Sequence, residues 1–378
     1  MLYLDHAATS PVRAEVRDAM LPYLTGTVGN PSSHHTVGEA AASALADARA
    51  EIARILGMRA NDVVLTSGGT EANNLALKGI ALAGGENGRR HVVISPIEHE
   101  SILESAAYLR RFHGIAVTEV AVDGQGRITP EALGDAIRPD TAVVSLGHAN
   151  NEIGTVQDVA GLVAVCRAAG VPLHLDAVQS AGWLDLRGLG VDALSIAGHK
   201  LGTHQGIGAL AVRGRVPLEA LLHGGGQERG RRSGTENVAG AIGLATALRL
   251  AEAERESVAA RVGAATARFI SAVLSSVSRA RLTGDPHHRL PATASFTFAG
   301  TSGEAVLLEL ERRGVVSSSG SACAAGSDEP SHVLLACGIP AEVAQTSVRF
   351  TFGRESLPED APERLAALVA DAVRAVSA

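Results

Sequence analysis

The sequence is poor in cysteine, in aromatic side chains and in charge. Its 378 residues include only three cysteines, with 3% aromatic and 19% charged residues and a net charge of −7. Cys166, Cys323 and Cys337 are too few and too widely spaced for a disulfide framework or a C-x-x-C site. Few aromatic rings and a mildly acidic balance argue against nucleic acid and anionic membranes as partners. We therefore expect a small-molecule partner and a reducing compartment.

Several common functional motifs are also missing. The chain has no H-E-x-x-H, no G-x-x-x-x-G-K-[ST], and no G-x-G-x-x-G after a strand, which excludes the simplest zinc-protease, P-loop and dinucleotide sites. The 14 histidines are scattered and predict no metal site. Asp5 and His6 stand where a signal peptide would be apolar, and the apolar run at 238–248 soon meets Arg249. These features predict a soluble, cytoplasmic protein.

Short apolar or β-branched runs alternate with segments of helical periodicity, such as 71–82 and 156–169. The runs lie at 62–66, 91–95, 141–146, 171–176, 191–197 and 207–212. This alternation predicts an α/β fold with a mainly parallel sheet that is covered by helices on both faces. Ligands of such sheets bind at the carboxyl ends of the strands, so the residues that follow each run are candidates for a site.

The pattern changes after Asn237, where a long Ala-rich helical segment continues to about Ser278. Beyond residue 282 a smaller set of strands and helices follows, which predicts a second, α+β domain. We expect an N-terminal segment at 1–25 that packs with this small domain, a large domain at 26–250 and a small domain at 251–378.

A glycine-rich segment at 66–74, TSGGTEANN, joins a predicted strand to a predicted helix. Backbone N–H groups at the helix start and the Thr70 hydroxyl would bind a phosphate. From this segment alone, an ordinary turn with Thr70 as the helix cap fits equally well.

Two further strand ends carry Asp176 and the pair His199-Lys200. Burial disfavours the ammonium form of a lysine at such a position and leaves an amine nucleophile, which makes Lys200 a Schiff-base candidate. Asp176 could hold the protonated ring nitrogen of pyridoxal 5'-phosphate. Each residue alone is more often a surface lysine or a strand-capping aspartate. Together with the phosphate segment, in this order, they predict a cofactor site.

The three cysteines differ in their surroundings. Cys323 lies in SSSGSACAAGS at 317–327, a run of small residues that predicts an exposed, mobile loop and a reactive thiol. An uninvolved cysteine in a linker is the alternative. Cys166 and Cys337 lie in apolar helical segments, where cysteine usually behaves as a small hydrophobic residue.

These motifs, in this order, resemble those of the cysteine desulfurases, class-V members of the fold-type I pyridoxal-phosphate enzymes. The resemblance covers nearly the whole chain. It rests on LDHAATSPV at 4, GNPSSHH at 29, TSGGTEANNLALKG at 66, EHES at 98, HANNEIGTVQD at 148, LDAVQS at 175, GHK at 198, HGGGQERGRRSGTEN at 223, SSGSACAAGSDEPSHVL at 318 and SVRFTFGR at 347. It implies a seven-stranded, mainly parallel sheet in the large domain, a homodimer, and conversion of L-cysteine to L-alanine with sulfur transfer. The long loop resembles that of the group serving iron–sulfur cluster assembly and tRNA thiolation, which implies a scaffold protein or a thiolation enzyme as the sulfur acceptor.

The resemblance also assigns catalytic and substrate-binding residues. Lys200 would bind the cofactor and move the Cα proton of the substrate, and His99 would stack on the cofactor ring and relay protons. Cys323 would receive the sulfur as a persulfide. Arg349 would bind the substrate carboxylate through its planar guanidinium, with Asn151 beside it.

For the cofactor, the resemblance implies a set of residues around the ring and the phosphate. They are Gly69, Thr70, His99, Asn151, Asp176, Gln179, His199, Lys200 and, from the partner subunit, Thr235. Asn150 is a further neighbour of the ring oxygen. Two positions depart from the family pattern: Ala197 replaces a common serine, and 203–206 reads THQG where GPKG is common. Either the phosphate binds more weakly or other donors compensate.

Two other activities remain open at this point. A selenocysteine lyase or another class-V aminotransferase-type enzyme would not need Cys323. A non-catalytic partner in sulfur trafficking would have lost Lys200, Asp176 or Cys323, yet all three are present.

Overall fold

The computed structural model describes residues 1–319 and 329–377. Its helices are α1 (Ala14–Thr25), α2 (Thr36–Leu56), α3 (Gly69–Gly85), α4 (Glu100–His113), α5 (Pro130–Ala136), α6 (Val159–Ala169), α7 (Val238–Ser276), α8 (Gly303–Arg312), α9 (His332–Ala336), α10 (Ala341–Ala344) and α11 (Ala361–Val376). Its strands are β1 (Leu2–Tyr3), β2 (Val63–Thr66), β3 (His91–Ile94), β4 (Ala116–Glu119), β5 (Thr141–Gly147), β6 (Leu173–Asp176), β7 (Ala193–Ala197), β8 (Gly208–Val212), β9 (Ala280–Leu282), β10 (Thr293–Phe298), β11 (Val315–Val316) and β12 (Ser347–Thr351).

The large sheet has seven strands in the order β2-β8-β7-β6-β5-β3-β4. All of them are parallel except β8, which runs antiparallel to both β2 and β7. The expected α/β fold with a mainly parallel seven-stranded sheet is therefore confirmed. The six apolar runs correspond to β2, β3, β5, β6, β7 and β8, with β5 extending one residue beyond its run. The edge strand β4 was not predicted, because it is only half-buried and carries no apolar run.

Burial on both faces explains why these strands are almost continuously apolar. Along β2, Val63 and Leu65 join a core with α2, α6 and the first part of α7, whereas Val64 joins a core with α3 and α4 on the opposite face. Side chains alternate between the faces of a strand, so each face needs its own apolar set.

A second core contains five of the six phenylalanines of the chain. It lies against the antiparallel sheet β12-β10-β9. The rings of Phe269 and Phe350 meet edge to face at 5.1 Å, and those of Phe269 and Phe296 at 5.9 Å, a favourable geometry for aromatic pairs. The scarce aromatic side chains are thus concentrated in the C-terminal part of the chain.

Helix α7 belongs to both cores. Ala241 and Leu248 lie in the first core, and Val262 and Phe269 lie in the second. By length and composition alone α7 could cross a membrane, but here it packs against α1, α2 and α11. The division predicted at residues 250 and 251 falls inside this helix and remains a prediction.

The N-terminal segment also contacts both cores. Strand β1 pairs with β11, and Leu4 lies in the second core, whereas Val16 and Met20 of α1 lie in the first. Between β1 and α1 the chain passes the carboxyl edge of the large sheet, where the candidate site is found.

Candidate active site

A cavity of about 520 Å³ opens at the carboxyl ends of β2, β5, β6 and β7. Nine of the eleven predicted site residues line it: Gly69, Thr70, His99, Asn151, Asp176, Gln179, His199, Lys200 and Arg349. Thr235 does not line it, and Cys323 lies outside the described residues. Chain segments from both halves of the sequence therefore meet at one place, as expected for this edge of a sheet.

The phosphate segment leads from β2 into α3, which begins at Gly69. A Cβ at Gly69 would lie 2.7 Å from the Val178 side chain and 3.3 Å from that of Ala197, so only glycine lets the helix start this close to the sheet. The first N–H groups of a helix have no intrahelical acceptor and attract anions. β2 is separated from β7 by β8, so the phosphate segment and Lys200 do not follow neighbouring strands.

His199 also lines the cavity and is half-buried. Burial, followed by the nearby charge of Lys200, lowers the pKa of His199 to about 4. Its ring is therefore neutral at pH 7 and offers one N–H donor. Gln205, from the segment that departs from the family pattern, also lines the cavity.

Asp176 ends β6, and each of its carboxylate oxygens accepts one hydrogen bond. The backbone N–H of Val178 donates to Oδ1 at 2.9 Å, and the Asn73 side chain donates from Nδ2 to Oδ2 at 2.6 Å. Two fixed donors hold a carboxylate in one orientation and stabilise its charge. A cationic ring nitrogen is the kind of group that this carboxylate would bind.

Lys200 closes a short 3-10 turn, Gly198–Lys200, directly after β7. Its Nζ donates to the carbonyl oxygens of Ala7 and Ala8, the latter at 2.6 Å. The side chain of Gln179 also donates to the Ala7 carbonyl, at 3.1 Å. The N-terminal segment thus supplies acceptors to two predicted site residues. Sequence reasoning gave Ala7 and Ala8 no role, since a backbone carbonyl leaves no residue-type signal.

His99 precedes α4 and caps its first turn. Its Nδ1 accepts a hydrogen bond from the backbone N–H of Ser101 at 3.0 Å and lies 2.9 Å from Ser101 Oγ. An acceptor nitrogen carries no hydrogen, so the proton of the neutral ring is on Nε2. The helix start therefore fixes the tautomer of the residue predicted to relay protons.

Arg349 lies in β12 and is 2% exposed. Its Nη1 donates to the Asn151 carbonyl at 2.9 Å, and its Nη2 donates to Asp5 Oδ1 at 2.6 Å. Its Nε has no partner among the described residues. A buried cation with an unused donor is suited to bind a carboxylate. The Asn150 side chain is used elsewhere: its Oδ1 accepts from the backbone N–H groups of residues 152 and 153, which holds this turn in place.

Two buried residues of the cavity wall were missed in the sequence. Burial raises the pKa of Glu98 to about 8, and its Oε2 has no partner among the described residues. Glu98 is therefore a largely neutral acid at pH 7. Asn73 is 1% exposed and contacts Asp176 directly. The motifs EHES and TEANN contain both residues, but a motif does not reveal which side chains become buried together.

Thr235 is exposed and lies in the loop that precedes α7. The same loop carries Arg232, whose Nε donates to Glu71 at 2.8 Å beside the phosphate segment. The loop is also held by the buried ion pair of Glu228 with Arg49, at 2.5 Å. The chain does not bring Thr235 into its own cavity, so the prediction that it serves a partner subunit stays a prediction.

The two described cysteines are buried. Burial raises the pKa of Cys166 to about 12 and that of Cys337 to about 11, which keeps both thiols protonated at neutral pH. Within 1–319 and 329–377, no group of three or more His, Cys, Asp or Glu side chains is placed to hold a metal ion.

A family model, a related protein and solved structures are all similar to this chain over nearly its whole length. The aminotransferase class-V family model matches residues 2–362. The chain is 42% identical to "Cysteine desulfurase IscS" of Dictyoglomus turgidum over 361 residues, which cover 95% of this chain and 91% of that protein. A solved structure described as a NifS-like protein has a TM-score of 0.91 and 31% identity, covering 99% of this chain and all of the other. The structure "SspA in complex with cysteine" has a TM-score of 0.81 and 33% identity, covering 94% of this chain and all of the other.

Proposed function

The chain belongs to the aminotransferase class-V family, and we propose that it is a pyridoxal-phosphate-dependent cysteine desulfurase that transfers sulfur from L-cysteine to Cys323. The observation that carries the proposal is the single cavity that collects an amine, a carboxylate, a guanidinium and a helix N-terminus: Lys200, Asp176, Arg349 and the start of α3. Similarity to cysteine desulfurases over nearly the whole chain supports the same activity.

The residues of the cavity fit pyridoxal phosphate. The start of α3 with Thr70 suits its phosphate, Asp176 its ring nitrogen, and Lys200 its aldehyde carbon. Gly69 lets the start of α3 lie at the cavity wall, because a side chain there would meet those of Val178 and Ala197. When bound, the cofactor supplies an electron-withdrawing ring that makes the Cα proton of an amino acid acidic.

The protein side chains supply binding and proton transfer. Arg349 binds the substrate carboxylate and orients Cα toward Lys200, whose amine takes the Cα proton. His99, with its proton on Nε2, exchanges a proton with the reacting groups. Asn151 and Gln179 hold the cofactor's ring oxygen.

Sulfur transfer itself needs a nucleophile. The Cys323 thiolate attacks the sulfur of the substrate, so that a new S–S bond forms as the C–S bond breaks. The electron pair of the C–S bond stays with the carbon fragment, which takes up protons and leaves as L-alanine. The persulfide on Cys323 then passes its outer sulfur to an acceptor protein, an iron–sulfur scaffold or a thiolation enzyme.

We also propose a homodimer in the cytoplasm. Thr235 is exposed on a loop that Arg232 and Glu228 hold beside the phosphate segment, which suits a residue that reaches the cofactor phosphate of a partner subunit. A Thr235→Ala variant should then bind the cofactor more weakly than the wild type. This loss of affinity should be the same at all protein concentrations at which the chain is dimeric.

The chain offers a clean test of the cofactor lysine, because it contains only two lysines, Lys78 and Lys200. After incubation with pyridoxal phosphate and reduction with borohydride, peptide mass spectrometry should find the cofactor on Lys200. The Lys78→Arg variant is the matched control and should be labelled like the wild type. Label on Lys78, or label that persists in Lys200→Ala, would disprove the assignment.

The sulfur acceptor can be tested with the other two cysteines as controls. With L-cysteine and a reductant, the protein should release equal amounts of alanine and sulfide. Cys323→Ser should lose this activity, while Cys166→Ala and Cys337→Ala should keep it. Full activity of Cys323→Ser with selenocysteine, or with alanine and a keto acid, would instead indicate a selenocysteine lyase or an aminotransferase.

A further inference from the structure

Asn73, in the second turn of α3, makes two hydrogen bonds with one buried amide nitrogen. Nδ2 donates to Asp176 Oδ2 at 2.6 Å and to Ser101 Oγ at 2.9 Å. The orientation of the amide is chemically determined, because a carboxylate only accepts and the amide oxygen would repel it. The 2.6 Å distance is that of a strong, charge-assisted bond.

The arrangement is not one that stability alone would favour. Asn73 Oδ1 is buried and has no hydrogen-bond partner in the described part of the chain, which costs free energy. A residue without a polar oxygen would avoid that cost at this position. What the asparagine provides is the pair of N–H donors that face Asp176 and Ser101.

These two bonds connect three elements of the site. Ser101 Oγ lies 2.9 Å from Nδ1 of His99, so the amide is anchored at the start of α4. Asp176 receives its other bond from the backbone N–H of Val178. With one fixed donor on each oxygen, the carboxylate cannot rotate about its Cβ–Cγ bond, and each oxygen keeps a lone pair for a further donor.

We propose that Asn73 is a positioning residue that holds the Asp176 carboxylate in the plane in which it binds the ring nitrogen of the cofactor. Ser101 anchors the amide for this purpose. The inference rests on the proposed function, since it requires that Asp176 bind that nitrogen. It adds a residue that acts through Asp176 and determines how well the ring nitrogen is recognised.

The test compares two cofactors that differ only at the ring nitrogen. The cofactor-free full chain is titrated with pyridoxal phosphate and with its 1-deaza analogue, in which a C–H replaces the nitrogen, and the ratio of the two dissociation constants is determined. Asp176→Ala gives the ratio without the carboxylate. In Asn73→Ala, Asp176 loses one hydrogen bond to its charged carboxylate. The preference for pyridoxal phosphate over the deaza analogue, given by the ratio of their dissociation constants, should therefore decrease by about tenfold.

Matched controls separate positioning from general damage. Asn74, the next residue of α3, hydrogen-bonds the Thr70 carbonyl and Lys78 but not Asp176, so Asn74→Ala should keep the wild-type ratio. Thr70→Ala should weaken both cofactors equally, because both carry the phosphate. Ser101→Ala, which leaves Asn73 in place, should narrow the ratio less than Asn73→Ala and covers the case that the latter does not fold.

The possible failures can be told apart. A wild-type chain that binds both cofactors equally would overturn the role of Asp176 and the inference with it. A wild-type preference that Asn73→Ala and Ser101→Ala both retain in full would overturn the inference alone. A narrowed ratio in both variants, with Asn74→Ala unchanged, supports it.

Discussion

The buried ion pair between Arg49 and Glu228 should be a major support of the loop that leads to Thr235. The two side chains are 10% and 2% exposed, and their guanidinium and carboxylate meet twice, at 2.5 and 2.8 Å. Glu228 also accepts the backbone N–H of Leu65 at 3.1 Å, which ties the loop to β2. Glu228→Gln would leave a buried cation without its counter-charge, which costs about 3–5 kcal/mol in other proteins.

We therefore expect Glu228→Gln to lower the free energy of unfolding by about 3 kcal/mol, or roughly a hundredfold in the unfolding equilibrium. The double variant Arg49→Met/Glu228→Leu should recover most of the loss, because an apolar pair leaves no lone charge. It should stay about 1 kcal/mol below the wild type, since the N–H of Leu65 loses its acceptor. Cofactor binding should weaken in Glu228→Gln as well, because its loop carries Thr235.

Urea unfolding of the cofactor-free chain, followed by far-UV circular dichroism, measures these differences. Glu363→Gln is the control, since its ion pair with Arg268 lies on the surface at about half exposure and should not measurably change the unfolding midpoint. A Glu228→Gln variant as stable as the Glu363→Gln control would refute the reasoning. So would a double variant that is less stable than Glu228→Gln.

Three further predictions follow from the site. At pH 8 at most about one in a thousand of the Cys166 and Cys337 thiols is ionised, because their pKa values are near 12 and 11. Iodoacetamide should therefore modify both cysteines much more slowly in the native protein than in the unfolded chain. Burial raises the pKa of Glu98 from 4.5 to about 8, so between these pH values the native state holds a proton that the unfolded chain has released. The free energy of unfolding of the wild type, relative to that of Glu98→Gln, should therefore fall by on the order of 4 kcal/mol as the pH rises from about 4.5 to 8. A difference in urea unfolding between the two proteins that does not change with pH would contradict this prediction. Arg349→Lys should raise the KM for L-cysteine about tenfold, because a lysine cannot form the bidentate pair, without changing the binding of cysteamine, which lacks the carboxylate.

The sequence predicted the sheet because strands that are buried on both faces consist almost entirely of apolar residues. Runs such as 141–146 and 171–176 are apolar throughout, and this pattern requires no knowledge of their neighbours. The same holds for Asp176 and Lys200, whose positions after such runs place them at one edge of the sheet. Strand β4 was not predicted for the converse reason: it lies at the edge of the sheet, is only half-buried and therefore has no continuous apolar run.

The residues that organise the site were less visible. Asn73 and Asp5 act through partners that are distant in the sequence: Asn73 meets Asp176, and Asp5 meets Arg349 across almost the whole chain. Their types are common on protein surfaces, so local pattern does not distinguish them from solvated residues. The antiparallel insertion of β8 between β2 and β7 was hidden in the same way, because strand direction depends on the path of the chain.

The sequence by itself determined the chemical groups and the sheet edge at which they collect, because periodicity and strand-end position are local properties. Only the tertiary structure decided how each group is held. The Asn73 donor on Asp176 and the two internal partners of Arg349, Asn151 and Asp5, come from contacts between segments far apart in the chain. Such contacts depend on distances of a few tenths of an ångström and on the exclusion of water, and neither is encoded in any single stretch of residues.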